Sequence, residues 1–106
     1  MAEVSIGPIT QIPPGEGRNF LVAGQLIAVF RTRDDAVYAT QAACPHRGGP
    51  LADGLLDAGS VVCPLHDRVF ALTSGAGIGN DCAIKIYPAQ VGADRSITLS
   101  VQDIVG

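Results

Sequence analysis

Positive charge is scarce in this chain, and nowhere is it gathered. Seven Lys and Arg stand against ten Asp and Glu, a formal charge of -3, with no basic run among the 106 residues. A nucleic-acid backbone or an anionic membrane surface would find nothing here to replace its counterions, so neither is an expected partner. No stretch of about twenty apolar residues is available to span a membrane. The opening residues, MAEVSIGPITQIPPGEGRNF, also lack the charged-then-apolar order of an export signal. The expected setting is a reducing cytoplasm, where an odd count of three cysteines argues for thiolate chemistry over a disulfide framework. A dinucleotide fingerprint is missing too. The sequence GAGIGN at 75–80 fails the G-x-G-x-x-G pattern and follows a turn, so no flavin or nicotinamide site is expected. No linker, internal repeat or low-complexity tract interrupts the chain, and no segment holds an apolar period of about 3.6 residues long enough to predict a helix.

What remains is a succession of short β-rich runs separated by turn residues. Strands are predicted at 20–22, 25–31, 36–41, 60–62, 68–72, 84–87 and 96–101, with turns at PPGEG (13–17), Gly24, RDD, SGAG and VGAD. The predicted class is all-β. With 47% hydrophobic residues the chain can bury one core, but it is too short for separate cofactor and substrate domains.

Residues 44–66 carry the chemistry: CPHRGGPLADGLLDAGSVVCPLH. Two of the three cysteines and both histidines fall in two similar pairs, Cys44-Pro-His46 and Cys63-Pro-Leu-His66, each just after a predicted strand. Each pair therefore sits at a predicted hairpin tip. Pro45 and Pro64 fix φ beside the cysteines and lower the entropy lost on ordering the loops. Gly48 and Gly49 leave room for backbone to approach a bulky inorganic centre and offer N–H groups to it. Several chemistries compete for these residues. Structural zinc usually takes like pairs, C-x2-4-C with H-x3-5-H, and the mixed pairs here fit that poorly. A cysteine nucleophile with a histidine base needs one of each and leaves the second pair unexplained. Packed thiols and satisfied histidines would require a coincidental match between the two pairs. A [2Fe-2S] cluster with two Cys on one iron and two His on the other uses all four.

In that last arrangement, Cys44-x-His46, sixteen residues and then Cys63-x2-His66 resemble the Rieske signature. The likeness extends over VFRTRDDAVYATQAACPHRGGPLADGLL, VVCPLHDRVFALTSG and DCAIKIYPAQV. These stretches are similar to small bacterial Rieske ferredoxins, and within them most similar to the small subunit of assimilatory NAD(P)H nitrite reductase. The resemblance implies one [2Fe-2S] cluster per chain, with Cys44 and Cys63 as thiolate ligands and His46 and His66 as imidazole ligands. It implies a single domain over 1–106: a basal β-barrel or sandwich, with a cluster-binding part inserted at about 42–85. It implies an electron carrier without a catalytic residue of its own, whose partners are redox proteins, either a reductase or a large catalytic subunit. A free ferredoxin of a ring-hydroxylating dioxygenase system is the alternative function, and a zinc-bound interaction module a remoter one. Asp67 and Arg68 stand where high-potential relatives place hydroxyl donors, so the resemblance implies a potential nearer about -150 mV than about +300 mV.

The third cysteine, Cys82, is expected to be a small buried hydrophobe. Phe70 and Tyr87 are expected in the core. Arg47 could equally dock an acidic partner or be simply solvated; Asp53, Asp57 and Asp67 could steer a partner but are more often plain loop residues.

Overall fold

The computed structural model describes residues 2–44, 48–57, 59–64, 68–79 and 82–101. Among these residues the chain forms strands β1 (Ala2–Pro8), β2 (Glu16–Val22), β3 (Gln25–Arg31), β4 (Val37–Gln41), β5 (Leu55–Asp57), β6 (Ser60–Val62), β7 (Val69–Ala71), β8 (Gly77–Ile78), β9 (Ile86–Tyr87), β10 (Ala89–Val91) and β11 (Ser96–Val101). Two short 3-10 turns, Ile9–Gln11 and Leu51–Asp53, are the helical elements among them. The strands make three antiparallel sheets: β1-β11-β10, β2-β3-β4-β9 and β5-β6-β7-β8. The fold is all-β, as expected.

Side-chain alternation decides how the sheets pack. In β11, Ile97, Leu99 and Val101 are buried while Ser96, Thr98 and Ser100 are only partly so, the period of two that a sheet with one covered face requires. Those residues join Ile9, Ile12, Val22, Ile27, Val29, Ala39 and Tyr87 in a first core between the first two sheets. Strand β3 is different, for Ile27, Ala28, Val29 and Phe30 are all fully buried. Its even and odd residues point to opposite faces. Ile27 and Val29 enter the first core, whereas Ala28 and Phe30 enter a second with Cys44, Leu51, Val61, Cys63, Phe70, Leu72 and Ile84. One strand thus separates two cores.

The chain leaves the second sheet at Gln41, builds the third sheet, and rejoins the second at Ile86. In the third sheet, Leu56, Val61, Phe70 and Gly77 oppose one another on the face turned to the second core. Burying Phe70 completely contributes about 2–3 kcal/mol. On the other face Leu55, Val62, Val69 and Ile78 form an apolar row, and its ends are exposed, Leu55 by 75% and Ile78 by 54%. Gly54 fastens this sheet to the turn before it. A Cβ there would lie 2.3 Å from the carbonyl oxygen of Val62, so only glycine allows the two backbones to approach this closely.

The strands at 25–31, 60–62 and 96–101 fall where the sequence predicts them. The one expected at 20–22 begins earlier, at Glu16, because its whole length pairs with β3. The one expected at 84–87 is confined to Ile86–Tyr87, since the N–H of Ile84 bonds the carbonyl of Gly75 instead of a neighbouring strand. Strands β1, β5, β8 and β10 were not predicted from the sequence. A register shift between Ser5 and Gly7 breaks the alternation of β1. The other three have two or three residues each, too few to show a period.

Candidate metal centre

Both cysteines of the paired motif are placed by backbone pairing. The β6–β7 ladder matches Ser60 with Ala71, Val61 with Phe70 and Val62 with Val69. One step further, the N–H of Cys63 donates to the carbonyl of Arg68 at 2.7 Å and closes the loop. The other loop is closed in the same way: the N–H of Cys44 donates to the carbonyl of Gly49, also at 2.7 Å. In each case the cysteine bonds the fifth residue beyond it. Cys44 is 2% exposed, Cys63 is fully buried, and both belong to the second core. His46 and His66, with Pro45, Arg47 and Asp67, lie outside the described residues.

The first loop departs from the expected hairpin. It starts from β4 but returns through a single bridge, Ala43 to Pro50, into the 3-10 turn Leu51–Asp53, with no returning strand. Gln41 supplies the support that a ladder would have given. Its side-chain Nε2 donates to the carbonyl of Ala43 at 2.6 Å, its Oε1 accepts the N–H of Lys85 at 2.8 Å, and its own N–H donates to the carbonyl of Lys85 at 2.9 Å. Gly48 takes part in closing this loop. Its N–H donates to the carbonyl of Cys44 at 2.9 Å, and its φ of +70° favours glycine there. Pro64 is exposed.

Arg68 is partly buried, and its Nε is buried without a hydrogen-bond partner. An orphaned N–H is costly and calls for an acceptor. Two buried thiols in matching loops and an unmet donor opposite one of them fit a sulfur-rich inorganic group. Gln41 is not among the residues expected at the site, and Arg68 is not expected there as a donor. The place of Arg68 follows from the register: the ladder that pairs Val62 with Val69 sets Arg68 across from Cys63.

Other predicted residues fall outside this region or on its edge. Phe70 and Tyr87 are core, the latter donating its hydroxyl to Oε1 of Gln25 at 2.8 Å. Cys82 is partly buried and packs against the second core without being enclosed by it. Asp53 and Asp57 are exposed. A cleft of about 560 Å³ between Arg33, Asp34, Tyr38, Leu56 and Asp57 contains neither cysteine. The displaced carboxylates lie in the β3–β4 turn. Hydrogen bonds from Arg31 and then Arg95 hold Asp35 below the usual carboxylate range, and a hydrogen bond from the hydroxyl of Thr32 does the same for Asp34. No helix among the described residues is long and apolar enough to cross a membrane.

With antiparallel sheets carrying two Cys-Pro loops into one core, comparison with known families gives a direct match. Residues 2–88 match the family model of the Rieske [2Fe-2S] domain. The chain belongs to that family, an electron-transfer domain that binds a [2Fe-2S] cluster. Among its relatives is the ferredoxin component of the naphthalene 1,2-dioxygenase system of Pseudomonas aeruginosa, 30% identical over 90 residues that cover 80% of this chain and 83% of the relative. Among solved structures, a Mycobacterium tuberculosis protein assigned as an NADH-dependent nitrite reductase small subunit superposes with a TM-score of 0.86 at 26% identity, covering 95% of this chain and 96% of that one. The ferredoxin of carbazole 1,9a-dioxygenase from Nocardioides aromaticivorans IC177 superposes with a TM-score of 0.84 at 26% identity, covering 96% of this chain and all of that one.

Proposed function

We propose that Cys44, His46, Cys63 and His66 hold the cluster within one domain spanning 1–106, and that the chain relays single electrons as the small subunit of an NAD(P)H nitrite reductase. The observation that carries the ligand set is the match between the two loops, each opening on a buried cysteine whose N–H bonds the carbonyl five residues on. When bound, the cluster takes up and releases one electron. The chain keeps both thiols away from water in a core of Phe30, Leu51, Val61 and Phe70, and it fixes the loops by backbone bonds so that little reorganises when the charge changes. The donor set leaves no open coordination position, so the chain passes electrons on and does not bind a substrate at the metal.

The nitrite reductase assignment is supported by the likeness of fold to the M. tuberculosis protein over nearly the whole of both chains. The sequence likeness to the naphthalene dioxygenase ferredoxin supports a second reading, a ferredoxin serving a ring-hydroxylating oxygenase. Iron and sulfide assays and EPR of the dithionite-reduced protein test the ligand set; a colourless, zinc-loaded protein after anaerobic purification overturns it. Partner choice is tested by mixing the reduced protein with a sirohaem-containing nitrite reductase subunit or with a terminal oxygenase. Reoxidation by the first alone is expected, and reoxidation by the second alone transfers the chain to the second reading.

A further inference from the structure

Arg68 lies where a hydrogen-bond donor can act on whatever Cys63 binds. Residues opposed across an antiparallel ladder project to the same face. Val61 and Phe70 are such a pair and are fully buried; two positions along, just past the end of the ladder, Cys63 and Arg68 continue its register, joined by the 2.7 Å backbone bond. The Arg68 side chain therefore leaves the backbone on the face that carries the Cys63 thiol. Its Nε is buried and has no acceptor. The ion pairs among the described residues join Arg18 to Glu16, and both Arg31 and Arg95 to Asp35; none involves Arg68. The corresponding position of the first loop is Gly49, which has no side chain to donate.

We propose that the Nε–H of Arg68 is a hydrogen-bond donor to the sulfur of the iron–sulfur group, and that it raises the group's reduction potential from the Cys63 side alone. The inference rests on the ligand set proposed above. An added electron makes the sulfur atoms more negative, so a donor aimed at them stabilises the reduced form more than the oxidised one. The low potential expected from the missing hydroxyl donors is therefore offset in part by this N–H. Arg68 is a positioning and tuning residue; electrons do not pass through it.

Three variants of the loaded protein separate the hydrogen bond from the charge. Arg68→Met removes both. Arg68→Gln keeps an N–H on the same side-chain carbon without the charge, and Arg68→Lys keeps the charge without a donor at that place. In a dithionite-mediated potentiometric titration, Arg68→Met and Arg68→Lys are expected to weaken electron uptake about tenfold, a fall of about 59 mV for one electron, with Arg68→Gln close to the unmodified protein. An unchanged midpoint in Arg68→Met overturns the proposal. So does the reverse order, with Lys close to the unmodified protein and Gln low, because that assigns the effect to charge. If Arg68→Met fails to take up iron, the Gln and Lys variants decide by the same order. Absence of iron and sulfide from the unmodified protein defeats the ligand set itself, whereas a loaded protein indifferent to these changes defeats only the role of Arg68.

Discussion

The N–H of Cys44 reaches the carbonyl of Gly49 and the N–H of Cys63 reaches that of Arg68, both at 2.7 Å, yet the two loops hang from different supports. The second grows out of a ladder, β6 against β7, and inherits its register. The first has a strand on its entry side only, and is held by the Gln41 side chain, a turn at Gly48 and one bridge at Pro50. Two scaffolds thus deliver the same product, a buried cysteine at the start of a closed loop. The cysteine placement is the shared requirement, and the means of reaching it is free to vary. The residue across the loop is free to vary too: glycine in one, arginine in the other.

Three measurements can break or sharpen this comparison. The largest effect is expected at the cysteines. Cys44→Ser and Cys63→Ser should each reduce bound iron from about two per chain to background, while Cys82→Ser, outside both loops, should leave it in place. Iron assay and visible absorption read all three, and retention of the cluster by one loop variant alone would show that the loops are not equivalent. Next is Gly54→Ala, which forces a Cβ to within 2.3 Å of the Val62 carbonyl and disturbs the strand that leads into Cys63. A loss of about 3 kcal/mol is expected in urea unfolding. The smallest is Gln41→Ala, which removes the two side-chain bonds that brace the first loop. It should cost about 1 kcal/mol and speed iron loss to a chelator, since only the first loop is loosened. An unaltered rate would mean that the backbone closure at Gly49 suffices.

How far the sequence disclosed this arrangement varied with the residues concerned. Strand β3 was legible because QLIAVFR is an unbroken β-rich run between turn signals, and β11 because SITLSV alternates. That β3 serves two cores was not legible, since a run of buried residues does not say what lies on either side. The cysteine pairs stood out by their duplication, which no packing requirement produces. The support from Gln41 was hidden because it joins residues 44 apart in the chain through a side-chain oxygen. The place of Arg68 was hidden for a different reason: it depends on register, and the strand at 69–71 was predicted one residue too long at each end.

Strand β3 also governs how the molecule comes apart. Ile27 and Val29 face one core and Ala28 and Phe30 the other, so neither core can open to water without disturbing the strand that bounds both. Local opening has no partial exit there. The amide protons of these residues should exchange with solvent only when the whole chain unfolds, and slower than those of the loop tips by the full stability of the protein. A protease working on the native ensemble has no half of the molecule to release intact.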